Sequence, residues 1–189
     1  MVNMNVIKGI SIVAMWAISI TAWSQSTNWS DWITFESKDG SFSMAAPSEP
    51  EYLTKEITTS IGAMNVHSYM CAPDYEASNP NLMYLIEYYD YPEGTFPEDS
   101  LELKQFFYQQ TAQATSAEIG GVLAYSSKSE VDGIDGMLYR CQYKNGTYVM
   151  KSRMFFVADR FYHIKVYTEK ETSMNDEMDW YLDSFKLLH

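Results

Sequence analysis

The chain is predicted to be an α+β domain, an antiparallel sheet with helices packed on it. Three observations predict this. Four strand-like segments between Val122 and Thr168 follow one another through short turns. Two segments with helical spacing, 99–117 and 173–186, bracket them. Ahead of the first helix, Leu82-Met83-Tyr84-Leu85-Ile86-Glu87-Tyr88-Tyr89 is apolar at almost every position, as in a strand covered on both faces. Strands, a helix, a meander and a second helix make one sheet with helices against it.

The elements follow in order. Trp32-Ile33-Thr34-Phe35 is a short strand, Lys38-Asp39-Gly40 a turn, and Ser41-Phe42-Ser43-Met44 alternates as a second strand before Pro47 and Pro50. Tyr52 to Thr58 and Met64 to Cys71 form a hairpin about Ser60-Ile61-Gly62. Ala72 to Asn81, with Pro73 and Pro80, is a loop, and Pro92, Gly94 and Pro97 mark another. The first helix starts near Asp99, which has capping-box spacing to Glu102. Leu103, Phe106, Phe107, Gln110 and Ala114 form its apolar stripe, and Gly120-Gly121 closes it. The meander strands are Val122 to Glu130, Met137 to Tyr143, Tyr148 to Val157 and Phe161 to Thr168. Lys144-Asn145-Gly146-Thr147 suits a type I′ hairpin, and Asp159-Arg160 a tight turn. Ser173 is placed to cap the last helix, whose stripe is Met174, Met178, Tyr181, Leu182 and Phe185.

Residues 1–24 read as a secretory signal peptide. Lys8 is the only charge before Asp31, and an apolar run from Gly9 to Trp23 follows it. That run is shorter than the roughly 20 residues a bilayer-spanning helix needs. Ala22-Trp23-Ser24 has the small residues signal peptidase requires, so cleavage is expected before Gln25. Residues 25–189 then form a single exported domain, periplasmic or secreted, with no membrane span. The chain has 13 Lys and Arg against 25 Asp and Glu, a net charge of −12, and loss of Lys8 takes it to −13. Such a surface repels phosphate backbones, so nucleic acid is not an expected partner. Asn28-Trp29-Ser30 and Asn145-Gly146-Thr147 match the glycosylation pattern, a short motif of little weight.

Phe35-Glu36-Ser37-Lys38-Asp39-Gly40-Ser41-Phe42-Ser43-Met44, then Pro47 and Pro50, resembles the opening of PsbP-like domains. Arg153-Met154-Phe155-Phe156, Arg160-Phe161-Tyr162 and the closing Trp180-Tyr181-Leu182-Asp183-Ser184-Phe185-Lys186 resemble the end of the uncharacterised exported bacterial proteins of that group. The resemblance spans most of residues 25–189 as a pattern of elements. It implies an α/β/α sandwich and a role as a binding or accessory module, with no catalytic set to carry over.

Motif chemistry is sparse. HExxH, GxSxG, a P-loop and a dinucleotide glycine fingerprint are all missing, and no cofactor is expected. His67 and His163 read as strand residues, and His189 ends the chain. Cys71 and Cys141 are a candidate disulfide in an oxidising compartment. As a nucleophile Cys141 would need a base such as His163, but Met137, Tyr139, Cys141 and Tyr143 share one apolar face, which favours an inert thiol. Asp132-Gly133-Ile134-Asp135-Gly136 lacks the oxygens of an EF-hand and reads as a turn. Glu87, Asp90, Glu93, Glu98, Asp99 and Glu102 are the densest acidic stretch, read as solvated carboxylates beside a loop. Tyrosine crowds one strand and its exit. Tyr88, Tyr89, Tyr91 and Phe96, with Tyr84 nearby, are the candidate ligand surface, against the plainer reading that tyrosine suits strands and core edges. The function expected is a non-catalytic envelope module with a protein or small-ligand partner. The alternative is an envelope hydrolase with dispersed acidic catalytic residues.

Overall fold

The structure is a computed structural model and describes residues 31–37, 39, 41–59, 62–73, 79–97 and 100–188. The expected signal peptide, its cleavage site and Asn28 lie outside the described residues. Among the described residues ten strands and two helices follow in order. They are β1 (Ile33–Glu36), β2 (Phe42–Ala46), β3 (Glu51–Thr59), β4 (Gly62–Cys71), β5 (Asn81–Asp90), α1 (Leu101–Glu118), β6 (Val122–Val131), β7 (Ile134–Tyr143), β8 (Tyr148–Val157), β9 (Arg160–Glu169), α2 (Asp176–Asp183) and β10 (Lys186–Leu187). A 3-10 turn, Lys170–Thr172, precedes α2.

Seven strands form one antiparallel sheet in the order β3-β4-β5-β9-β8-β7-β6. The four-strand meander is as expected, each strand beside its sequence neighbour. β5 lies inside the sheet, between β4 and β9, which accounts for its continuous apolar run. β1, β2 and β10 make a second, small sheet.

Alternation sends successive residues to opposite faces and builds two cores. Tyr84, Ile86, Tyr88, Phe155, Tyr162 and Ile164 pack on one face with α2 and the small sheet, through Phe42, Met44, Tyr181, Leu182 and Phe185. Met137, Tyr139, Cys141, Met150, Met154 and Phe161 pack on the other face against α1. One outer layer is thus a helix, and the other is a helix joined to three short strands.

Several local expectations are corrected. The stripe of α1 that meets the sheet is Tyr108, Ala112 and Ser116, while Leu103 and Phe106 are 45% and 61% exposed. The sheet surface below already carries Met137, Tyr139, Cys141 and Met150, so small side chains let the helix sit down on it. Asp99, half of the expected capping box, lies outside the described residues. Ser100 holds the N-cap position and makes no side-chain cap bond. α2 is capped by Asn175, which accepts from the Met178 amide at 2.7 Å, and not by Ser173. It ends at Asp183, so Phe185 lies beyond it in the connection to β10, and Met174 is exposed. The β8–β9 turn is Ala158-Asp159, between the paired Val157 and Arg160. At Lys144-Asn145-Gly146 three successive residues have positive φ, in a wider loop between Tyr143 and Tyr148 than a two-residue turn.

Candidate functional site

The residues singled out by sequence are mostly structural. Tyr88 is 2% exposed and belongs to the core beneath α2, and Phe96, at 7%, belongs to the core beneath α1. Tyr89 and Tyr91 pack half-buried against the α1 core. Neighbouring residues of a strand point to opposite faces, so these four rings cannot form one surface. Tyr88 lies between two partners, with the His67 ring stacked at 4.5 Å and the Arg160 guanidinium 4.8 Å from its centroid. Arg160 also binds Asp90, through Nε at 2.6 Å and Nη2 at 3.1 Å, and Asp39 at 2.6 Å, which ties the β1–β2 connection to the main sheet. Burial raises the pKa of Asp39, but hydrogen bonds from Ser37 and Ser41 and the charge of Arg160 outweigh it and leave the carboxyl below its ordinary value.

Cys71 and Cys141 are both free and buried. A disulfide is ruled out by position. Cys71 sits on β4 in the α2-side core and Cys141 on β7 in the α1-side core, on opposite faces and four strand spacings apart. At about 4.8 Å per spacing this is far beyond the roughly 4.4–6.8 Å that a bridge requires. Burial pushes both thiols up, the opposite of nucleophile activation. His163 is 2% exposed, more buried than a half-exposed strand residue. Burial, and then the nearby Lys165 charge, hold it well below its ordinary value. It shares a 2.8 Å hydrogen bond with the Tyr139 hydroxyl. Glu87 of the acidic stretch is not free either. Lys165 binds it at 2.5 Å and the Tyr89 hydroxyl at 3.1 Å. Glu98 and Asp99 lie outside the described residues. Among the described residues no group of three His, Cys, Asp or Glu side chains is placed to hold a metal.

The candidate site lies elsewhere in the fold. At the end of the sheet carrying the β6–β7 and β8–β9 turns, a cleft of about 490 Å3 opens. Ligand sites commonly span about 300–1,000 Å3, with an apolar lining and a few convergent polar groups. One wall is the first two turns of α1, presenting Leu101, Lys104, Gln105 and Tyr108. The other is the β6–β7 turn, Gly133-Ile134-Asp135, and the cleft is completed by Phe156, Val157, Ala158 and Leu187. Local conformation explains the second wall. Asp132 and Gly133 have φ of 52° and 77°, the paired positive angles of a type I′ hairpin. Asp132 faces away and binds Lys186 and the Leu187 amide, each at 3.0 Å, which fixes the chain's tail at the cleft edge.

The Phe156 amide donates to the Tyr108 hydroxyl at 3.1 Å, which leaves the phenolic hydrogen to donate. Burial pushes this hydroxyl up to about 12, so it keeps its proton at neutral pH. Among the described residues Lys104, Gln105 and Asp135 form no side-chain hydrogen bond or ion pair. Lys104 is near enough to Asp159 to help hold that carboxyl below its ordinary value, after the amides of Gly94 and Phe96, which donate to it at 2.9 and 3.2 Å. Sequence reasoning missed this site because it comes from four separated segments. The one available signal was the i, i+4 placement of Lys104 and Tyr108 on a helix, which is not specific.

No protein-family profile matches the chain. No curated protein matches it either. Among solved structures it is similar to a protein of unknown function from Pseudomonas aeruginosa, with a TM-score of 0.42 and 12% identity over 79% of this chain and 90% of the other. It is also similar to cyanobacterial PsbP from Synechocystis, with a TM-score of 0.44 and 8% identity over 83% of this chain and 92% of the other. No helix among the described residues is long and apolar enough to cross a membrane.

Proposed function

We propose that this chain is a non-catalytic, exported binding or accessory module of the cell envelope, built on a PsbP-like fold, and that its ligand occupies the cleft at the end of the sheet. One observation carries the reading: Lys104, Gln105 and Asp135, whose side chains form no hydrogen bond or ion pair among the described residues, line one cleft together with Tyr108, Ile134, Phe156 and Leu187. Two further points support binding over catalysis. The groups with intrinsic reactivity, His163, Cys71 and Cys141, are buried with pKa values moved away from use. Asp135 is the only carboxylate among the described residues lining the cleft, whereas a two-carboxylate hydrolase needs a facing pair.

The test uses the full chain, labelled for amide NMR. It is titrated with short peptides, oligosaccharides and carboxylates, and assayed in parallel with chromogenic ester, glycoside and phosphate substrates. Shifts centred on 101–108 and 133–135 without turnover are expected. Turnover abolished by Asp135→Asn would overturn the proposal in favour of a hydrolase. Shifts confined to another surface would overturn the site. Export is tested by intact mass in the native host, where a mature chain starting at Gln25 is expected and one retaining Met1 refutes it.

A further inference from the structure

We infer that the ligand of this cleft is an extended peptide segment, held by its backbone on both walls and by one apolar side chain on the floor; this rests on the cleft being the binding site. The two walls differ in chemistry. The α1 wall offers two donors, the Lys104 ammonium and the Tyr108 hydroxyl, which already accepts from the Phe156 amide, and beside them the Gln105 amide, which can donate or accept. The hairpin wall offers an acceptor, the exposed Asp135 carboxylate. Apolar lining comes from Ile134 on the hairpin wall and from Phe156 and Leu187.

A ligand that satisfies both walls carries an acceptor on one side of an apolar group and a donor on the other. An extended peptide has this layout across each trans peptide bond, whose carbonyl and N–H point to opposite sides while the side chains stand above and below the backbone. The carbonyl accepts from Tyr108 and Lys104, and the N–H donates to Asp135 as a charge-assisted bond. An aliphatic carboxylate would satisfy Lys104 but press its chain against Asp135, stripping that carboxylate of water with nothing in return. An oligosaccharide would set hydroxyls against Ile134 and Leu187, at a similar penalty. The cleft is open at the rim, where Leu101, Gly133 and Ala158 are exposed, so a chain can enter and leave along it.

The experiment titrates the labelled full chain with four probes: blocked acetyl-Ala-Leu-Ala-amide, its acetyl-Ala-Gly-Ala-amide counterpart, octanoate and maltotriose. The leucine peptide is expected to shift the amides of 104–108 and 133–135 and to bind about tenfold or more tightly than the glycine peptide, the difference made by one buried aliphatic side chain. Asp135→Asn and Lys104→Met are each expected to weaken it about tenfold, the loss of one charged hydrogen bond, with the rest of the amide spectrum unchanged. Octanoate binding at the cleft more tightly than the peptide and indifferent to Asp135→Asn would overturn the peptide inference while leaving the cleft as the binding site, and so would preferential binding of maltotriose. Equal binding of the two peptides also overturns it. If no probe moves the cleft amides, both this inference and the cleft reading fail.

Discussion

Replacing Phe185 by alanine should remove a large share of the domain's stability. Phe185 is fully buried where the small sheet, α2 and the main sheet meet. Its ring stacks on Phe42 of β2 at 5.6 Å and meets Phe155 of β8 and Tyr162 of β9 edge-on at 4.8 and 5.1 Å. The preceding Ser184 hydroxyl accepts from the Ala45 amide at 3.1 Å and donates to the Tyr181 carbonyl at 2.9 Å, so the backbone cannot readily close over a missing ring. A buried Phe→Ala change costs about 3–5 kcal/mol, through lost transfer energy and a residual cavity. The three ring contacts place this site toward the upper end. A domain of this size holds about 5–15 kcal/mol and loses about 2–4 °C in Tm per kcal/mol, so Tm should fall by roughly 6–20 °C. Denaturant melts followed by tryptophan fluorescence report the junction directly, because Trp32 and Trp180 pack at 4.8 Å beside it. Asp183→Asn is the control. Asp183 is 60% exposed and pairs with Arg153 at 2.6 Å, a surface bridge worth about 0–1 kcal/mol. Loss of less than about 1 kcal/mol in Phe185→Ala, or equal losses in the two variants, would refute the reasoning.

Three further outcomes follow from the cores. Thiol titration of the unfolded, unreduced protein should find two reactive thiols, and fewer would contradict the separation of Cys71 and Cys141 by the sheet. The pH dependence should carry the mark of His163. Its folded pKa is depressed, so only the unfolded chain takes up this proton as pH falls below about 6.5. Stability from this residue is complete above about pH 6.5 and declines below it by at most about 1.4 kcal/mol per pH unit, until the folded value is reached. Denaturant midpoints at several pH values should show a flatter acid slope for His163→Gln than for wild type, and parallel slopes would refute the assignment. Gly136→Ala should destabilise by about 1–3 kcal/mol, because a Cβ there would lie 2.2 Å from the Met154 carbonyl oxygen and 2.9 Å from the Phe155 Cβ. A neutral result in the same melts would mean that β7 and β8 can move apart at that point.

The sheet was readable because its signals are local. Short turns, read at Asp132 to Gly136 and, one residue late, at Asp159-Arg160, set each strand beside the next, and the run from Leu82 to Tyr89, apolar at almost every position, marks a strand with two covered faces. The helices were readable in existence but not in orientation. Periodicity in α1 selects the bulky Leu103 and Phe106, yet the face that meets the sheet is Tyr108, Ala112 and Ser116. Bulk on one surface calls for smallness on the other, and that complement lies on β7 and β8, distant in sequence. The C-terminal end failed for a related reason. Met178, Tyr181, Leu182 and Phe185 share a helical spacing, but the helix stops at Asp183 because Phe185 is drawn into the junction and Lys186-Leu187 pair with β2. β10 holds only two residues, too few for any pattern.

The candidate ligand surface failed in a more general way. Tyrosine is amphipathic, and a run of it in a strand is compatible with a wet aromatic surface or with two cores whose hydroxyls find partners. Here the partners decide. The Tyr84 hydroxyl donates to Asn79 at 2.8 Å and accepts from Asn81 at 2.7 Å, Tyr89 reaches Glu87, and Tyr139 reaches His163. A hydroxyl that already has a protein partner has little left to offer a ligand. In the cleft, by contrast, the Tyr108 oxygen accepts from Phe156 and leaves its hydrogen to donate, and the side chains of Lys104, Gln105 and Asp135 form no hydrogen bond or ion pair among the described residues. The open hydrogen-bond valences of Lys104, Gln105 and Asp135 thus meet in one cleft at the end of the sheet, whereas those of the tyrosine-rich strand are largely spent within the protein.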